Sequence, residues 1–382
     1  MATISSYFTD FLSSIRLTDN QKEECKTGHT TLRDRLHADK DLSPIIVDSF
    51  LQGSYRRATA IRPSSDTNKS DVDIIVVTTL DRSSITPTEA LDRFVPFLEK
   101  YYKGKFIPQG RSWGIKLSYV ELDLVPTSSP SEAVKTLVKS ASVLTNEDIE
   151  EAKDWQLGLA WQAQGSMLLK SKLITEAEKK KWQMEPLWIP DREVKIWDET
   201  HPLAQIEATV SKNKSCNTHY VNVVKSLKWW RTTRQPKPKY PKSYPFEHLI
   251  CLNCPDGIDS VALGTVRTLE NIRDQYQAHA AMKQTPFIPD HGVPSHNVLG
   301  RVEGNDFAAF HELVSNAAKQ ARAAFDEQDT RKSAWLWRDL FGEKFPEPPS
   351  DKSNDGDKGD KPKPGGYTPR TEESTIAGGR FA

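Results

Sequence analysis

The chain has 382 residues, 37% of them apolar, which is enough for a buried core shared by two domains. Lys plus Arg equal Asp plus Glu at 52 each, so the net charge is zero; this argues against a polybasic surface for long nucleic acid and favours small anionic substrates. Four Cys without a disulfide framework point to a reducing cytoplasm, and with no apolar run near about 18 residues and no leader after Met1, neither a membrane span nor a secretory signal is expected. In chain order, Tyr7, Phe8, Phe11, Leu12 and Ile15 recur at helical spacing, and Thr18 with Gln21 has the form of a capping box opening a second helix. Along that helix Cys25, His29, Leu32 and Leu36 fall three or four apart and read as a buried stripe, with Cys25 and His29 as core residues rather than ligands. Residues 45–50 read as a strand that runs into Gln52-Gly53-Ser54.

That turn begins the stretch around which the chain is organised. Gly53 lets backbone approach an anion closely, Ser54 offers a hydroxyl and an amide to a phosphate oxygen, and Arg56, Arg57 and Arg62 add positive charge. A solvent loop carrying Asp66, Asn68 and Lys69 leads to Asp71-Val72-Asp73-Ile74-Ile75-Val76-Val77, whose β-branched run is a buried strand. Side chains alternate along a strand, so Asp71 and Asp73 share a face, roughly 7 Å apart along the chain. Residues 88–102 read as one helix with Leu91, Phe94, Phe97 and Leu98 on its packed side. In the strand within residues 116–126, alternation puts Asp123 on the face of Tyr119 and Glu121. Three acidic donors beside a phosphate-holding turn suit two magnesium ions handling a nucleoside triphosphate.

Beyond Pro126 the pattern is helical and aromatic, with Trp155, Trp161, Trp182, Trp188 and Trp197, then Trp229-Trp230, as core residues or stacking platforms for bases. Residues 189–192 and 200–203 read as loops joining two halves. Residues 221–231 read as an amphipathic helix, Val221, Val224, Leu227 and Trp230 on one side and Lys225 and Lys228 solvated. Cys251-x-x-Cys254, even with Cys216, His219 or His248, is a poor zinc motif: Cys251 ends an apolar helix and no second CxxC exists. Residues 290–297, with Asp290, His291, His296 and Asn297, read as a fold-holding turn rather than a metal loop. Helices follow from Asp306 to about Phe341, and from Pro346 the composition collapses to Pro, Gly, Asp, Lys and Ser, the signature of a flexible tail.

The spacing of Gly53-Ser54, Asp71-x-Asp73 and a lone Asp123 on a later strand resembles the nucleotidyltransferases of the DNA polymerase β superfamily. Within it, Gly53-Ser54-Tyr55-Arg56-Arg57-Ala58-Thr59-Ala60-Ile61-Arg62-Pro63 and Ser70-Asp71-Val72-Asp73-Ile74 are most similar to the bacterial cGAS/DncV-like nucleotidyltransferases, which make cyclic oligonucleotide signals in antiphage defence. The likeness covers roughly residues 5–345 and is greatest to clade D, whose products include cyclic trinucleotides; Ala58 departs from it, standing where related chains commonly carry Gly.

The resemblance implies an α+β architecture. A polymerase β-like lobe with a mixed sheet would span 1–205, its first helices partly shared; an oligoadenylate-synthase-like helical lobe would span 206–345, and the tail 346–382. It further implies that Asp71, Asp73 and Asp123 are catalytic and hold two Mg2+, and that Gln52, Gly53, Ser54, Lys228 and Ser243 hold the triphosphate while Tyr244 stacks on the base. Substrates would be ATP and GTP and the product a cyclic di- or trinucleotide, foremost cyclic AMP-AMP-GMP. A downstream effector would be bound only through that product, and the terminal carboxylate of Ala382 would be joined to a target by a ubiquitin-activating-like enzyme. A linear oligoadenylate synthase, a small-molecule nucleotidyltransferase and a non-catalytic binding or conjugation module remain open alternatives.

Overall fold

The computed structural model describes residues 4–65, 68–132, 135, 185–234, 236 and 238–348. Asp66, Trp155, Trp161, Trp182, the tail from residue 349 and its Ala382 lie outside the described residues. Residues up to Pro348 form one compact unit.

Two helices open the chain, α1 (Ser5–Ile15) and α2 (Asp19–Ala38). As the spacing predicts, Phe8, Phe11, Leu12 and Ile15 are buried, and α2 starts at the reciprocal Thr18–Gln21 capping box. Cys25 and His29 are indeed core residues of α2. Gly28 brings α2 against the sheet, because a Cβ there would stand 2.6 Å from Val120 Cγ1.

The central sheet contains β1 (Ile46–Gln52), β2 (Ser70–Thr78), β3 (Phe106–Pro108), β4 (Trp113–Lys116) and β5 (Val120–Thr127) in the order β1-β2-β5-β4-β3. β2 and β5 are parallel and central, the other pairings antiparallel. β2 is buried on both faces from Ile74 onward, which is why its carboxylates sit only at its first turns of pleat. Between β1 and β2 lies a four-residue helix, α3 (Gly53–Arg56).

The structure corrects three readings of the sequence. The single helix over 88–102 is two, α4 (Pro87–Asp92) and α5 (Val95–Tyr102). Pro96 has no N–H to give and its ring would meet the Asp92 carbonyl, so the chain restarts with the proline in the first turn. Residues 189–191 and 200 are not loops but belong to a two-stranded ribbon, β6 (Leu187–Asp191) and β7 (Ile196–Thr200). Pro190 is compatible with it because each strand pairs on one side only. Pro202 and Leu203 open the helix α6 (Pro202–Ser215).

The third correction concerns α7 (Tyr220–Thr233), which is buried all round from Tyr220 to Arg231, including Lys225 and Lys228. It is the central post of a helical core with α8 (Ser243–Asn253), α9 (Val261–Gln275), α11 (Gly304–Asp326) and α12 (Thr330–Phe341), while the short α10 (Gln277–Ala281) buries no residue of its own. The N-terminal helix α1 joins that core: Phe11 stacks on Phe341 at 4.5 Å and Phe8 meets Trp337 edge-on at 4.9 Å. A second core lies on the sheet, built from Leu32, Leu36, Val72, Ile74, Phe94, Leu98 and Leu122. The 290–297 segment holds the fold as expected: Asp290 accepts from the Gly292 and Val293 amides and from Tyr244 Oη, and Asn297 Oδ1 accepts from the Ile288 and Leu299 amides.

Candidate active site

The parallel register of β2 and β5 sets Asp73 beside Asp123 and Asp71 beside Glu121. Alternation keeps all four on one face, and one oxygen from each of Asp71, Asp73 and Asp123 lies within 4.8 Å of the others. Asp123 is oriented by Gln109, whose Nε2 donates to Asp123 Oδ1 at 3.0 Å, and Gln109 is in turn held by Ser112 Oγ at 2.6 Å. Neither residue stood out in the sequence, since their hairpin, β3 and β4, is short and weakly patterned.

Gly53 is required by this arrangement rather than merely tolerated. Its φ is +73°, and a Cβ there would fall 1.7 Å from Asp73 Oδ2. The antiparallel register of β1 with β2 places Gln52 opposite Asp73, so turn and carboxylates are one unit. Ala58 has φ +57°, a left-handed conformation that glycine adopts without a Cβ penalty. Ala58→Gly, which restores the residue common in related chains, is therefore expected to raise stability by about 0.5–1 kcal/mol, offset in part by the freer unfolded chain. A denaturant titration checks it, and a lower midpoint would contradict it.

Burial, together with the charges of Asp73, Asp123 and Glu121, pushes the Asp71 carboxyl up to about 8, although Asp71 opens onto solvent, which screens part of that. Burial and the charge of Asp73 push Asp123 up to about 6, and burial raises Asp73 against the pull of Arg57 and Lys228. The set fits a divalent cation, since three hard oxygen donors converge and each is held above its ordinary pKa. A carboxyl raised in the folded state stabilises the fold below its unfolded value and loses that contribution as pH climbs through the folded value. In the absence of metal this cluster should thus weaken the fold between about pH 4 and 8. Magnesium competes with those protons, so the rise in melting temperature from EDTA to magnesium should be larger at pH 8 than at pH 6. Equal shifts at both would contradict the assignment.

A cleft of about 440 Å³ opens beside the triad, lined among others by Ser54, Arg62, Lys69, Asp71, Glu121, Lys228, Arg231 and Ser243. Of the residues expected to bind nucleotide, Ser54, Lys228 and Ser243 thus meet in one cavity with Asp71. Asp73 and Asp123 adjoin Asp71, and Gln52 and Gly53 adjoin Asp73, without lining the cleft, and Tyr244 is also absent from the lining. The Tyr244 hydroxyl is donated to Asp290 at 2.5 Å and the Arg57 guanidinium lies 5.4 Å from its ring centre. Trp229 and Trp230 are buried in the helical core, Trp188 lies against Arg82, and Trp197 donates to the Ile85 carbonyl; none lines the cleft.

Behind the cleft is a buried group of charges that the sequence did not disclose. Glu247 Oε1 accepts from Lys228 Nζ at 2.7 Å, while Oε2 accepts from Arg57 Nη2 at 3.2 Å and Thr59 Oγ1 at 2.9 Å. Lys228 Nζ also donates to the Thr59 carbonyl at 3.1 Å. Burial alone would raise the Glu247 carboxyl, but Lys228 and Arg57 outweigh it and hold it low. The available signal was an acid inside the apolar stretch 246–252, where a charge needs a partner. Elsewhere, Cys216 and Cys254 stand with sulfurs 3.9 Å apart, and among the described residues Asp71, Asp73 and Asp123 are the group of acidic, His or Cys side chains that converges as a metal site would.

Comparison with known proteins agrees with this geometry. Residues 1–138 match the Second Messenger Oligonucleotide or Dinucleotide Synthetase domain. The chain is 48% identical over 353 residues to the probable cyclic AMP-AMP-GMP nucleotide synthase of Salmonella paratyphi B, covering 90% of this chain and 92% of that one. It is 45% identical over 383 residues to the cyclic AMP-AMP-GMP synthase of Enterobacter hormaechei subsp. hoffmannii (strain UCI 50), covering 98% of each. The fold is that of the Vibrio cholerae cyclic AMP-GMP synthase DncV, with a TM-score of 0.60 at 12% identity over 91% of this chain and 97% of that one. The chain belongs to the cGAS/DncV-like nucleotidyltransferases, the family of cyclic oligonucleotide synthases.

Proposed function

We propose that this protein condenses ATP and GTP into cyclic AMP-AMP-GMP in the cytoplasm, as a clade D synthase of antiphage signalling. The observation that carries the reading is the convergence of Asp71, Asp73 and Asp123 beside the Gly53–Ser54 turn; the choice of product is supported by the names of two relatives above 40% identity. The sheet-bearing lobe would end near residue 205, and the site would lie where it meets the helices.

Asp71 and Asp73 would hold two magnesium ions and Asp123 one of them. When bound, these supply Lewis-acid stabilisation of the charge that develops on the transferring phosphate. Ser54, Lys228 and Ser243 would orient the triphosphate, with the Gln52–Gly53 backbone close against it. Tyr244, assigned by the family resemblance to stacking on the base, would have to present its ring to the cleft from beside Arg57 and His248. Asp123, kept from rotating by Gln109, would take the proton of the attacking ribose hydroxyl. That oxygen forms a bond to the α-phosphorus in line, and the bond to the pyrophosphate oxygen breaks. Repetition within one pocket closes the ring. The family resemblance extends the proposal to Ala382, whose carboxylate would be the group a ubiquitin-activating-like enzyme joins to a target.

The test is mass spectrometry of products made from an equal mixture of four nucleotides, before and after phosphatase. A cyclic product has no terminal phosphate and survives treatment unchanged, at the mass of two AMP and one GMP less one water for each of its linkages. Trimming by phosphatase would assign a linear synthase instead.

A further inference from the structure

The cationic side chain that the cleft would use is not fully accounted for by Lys228. Its ammonium is already shared between Glu247 and the Thr59 carbonyl, and Glu247 largely neutralises it. One helical turn further along α7, Arg231 lines the same cleft, as do Thr232 and Ser243. Arg231 is 8% exposed. Its Nη2 donates to the carbonyls of Pro238 at 2.9 Å and Lys239 at 3.5 Å, and its Nε is buried with no hydrogen-bond partner. Among the described residues no carboxylate pairs with it, whereas Arg57 and Lys228 share Glu247. Burial lowers its pKa, with no acid to oppose the shift.

A guanidinium withdrawn from water without a counter-ion is unfavourable unless an anion completes it. Its planar fork of N–H groups matches the paired oxygens of a phosphate, which an ammonium meets only as a point charge. We propose that Arg231 is a further phosphate-binding residue of this cleft, meeting the triphosphate of a nucleotide beside Lys228 and Ser243 and supplying the positive charge that Glu247 withholds from Lys228. The inference rests on the nucleotidyltransferase reading above and adds to it a contact that the motif does not contain. The two backbone bonds from Nη2 hold the guanidinium in place without neutralising it, so the same side chain anchors the segment before Ser243 and presents charge to the cleft.

The experiment is calorimetric titration of wild type, R231Q and R231K with a non-hydrolysable ATP analogue plus magnesium, and with adenosine. R231Q should weaken the analogue about 10- to 100-fold, the range for one hydrogen-bonded charge, and leave adenosine binding unchanged. R231K, which keeps the charge and loses the fork, should fall between. Equal affinity for the analogue in wild type and R231Q overturns the proposal, as does a loss equal for analogue and adenosine, which is the mark of a merely structural side chain. Should thermal unfolding show that R231Q does not fold, R231K decides: weaker analogue binding with unchanged adenosine supports the contact, and unchanged binding of both refutes it. Product analysis of the wild type separates the two claims. A wild type without cyclic product removes the functional reading while a triphosphate-selective loss in R231Q still supports the contact. A cyclising wild type whose R231Q variant binds the analogue normally removes the contact alone.

Discussion

Asp73→Asn is expected to lower product formation about 1,000-fold or more while leaving the metal-free protein at least as stable as wild type. The activity loss follows from position: Asp73 stands between Gly53 and Asp123, so it touches the turn, the strand register and the carboxylate cluster at once. The stability result follows from electrostatics. Burial raises its pKa in spite of Arg57 and Lys228, so near neutral pH the ionised form is disfavoured in the fold, and an isosteric amide removes that disfavour. Magnesium should reverse the order, raising the melting temperature of the wild type more than that of the variant. Product assays and thermal unfolding in EDTA and in magnesium read both halves. Activity within about tenfold of wild type would end the assignment of Asp73 as a ligand.

The second large effect belongs to Glu247. Glu247→Ala removes the carboxylate that pairs with both Arg57 and Lys228 and leaves these two buried cations without their shared ion-pair partner. Removing one partner of a buried pair costs about 3–5 kcal/mol. Glu247→Gln keeps one acceptor oxygen for Lys228 and offers its NH2 to the Thr59 hydroxyl in place of an acceptor, so it should lose less than Glu247→Ala. Both variants should also lose activity beyond what their folded fraction explains, because Thr59 and Arg57 belong to the segment that begins at Gly53. Denaturant midpoints give the first effect, and activity per folded molecule the second. A stable Glu247→Ala with normal turnover would mean the charges are solvated.

The two groups of charge differ in how they could be read. Asp71, Asp73 and Gly53 lie within one short stretch, and strand alternation converts their spacing directly into a shared face. Asp123 needed only the second strand. Arg57 and Glu247, by contrast, are 190 positions apart, and nothing local in either sequence names the other. Lys225 and Lys228 read as solvated because period alone reports one apolar face; α7 is enclosed by the α1 helix as well as by its own neighbours, which no window of sequence displays. The break at Pro96 was legible and was overridden by the regular spacing of Leu91, Phe94, Phe97 and Leu98. The β6–β7 ribbon was hidden by Pro190 and by partners exposed on one side, which blur the alternation a strand relies on.

The seating of Phe8 and Phe11 against Trp337 and Phe341 also bears on how the chain matures. A ribosome delivers the first helix some 330 positions before the aromatic rings that shelter it, as the Ser14 to Lys344 bond measures. Until then only part of its apolar side can be covered, by α7. Biogenesis should therefore finish only after Trp337 and Phe341 emerge, and molecules truncated before residue 337 should leave the nascent amino-terminal segment open to chaperones.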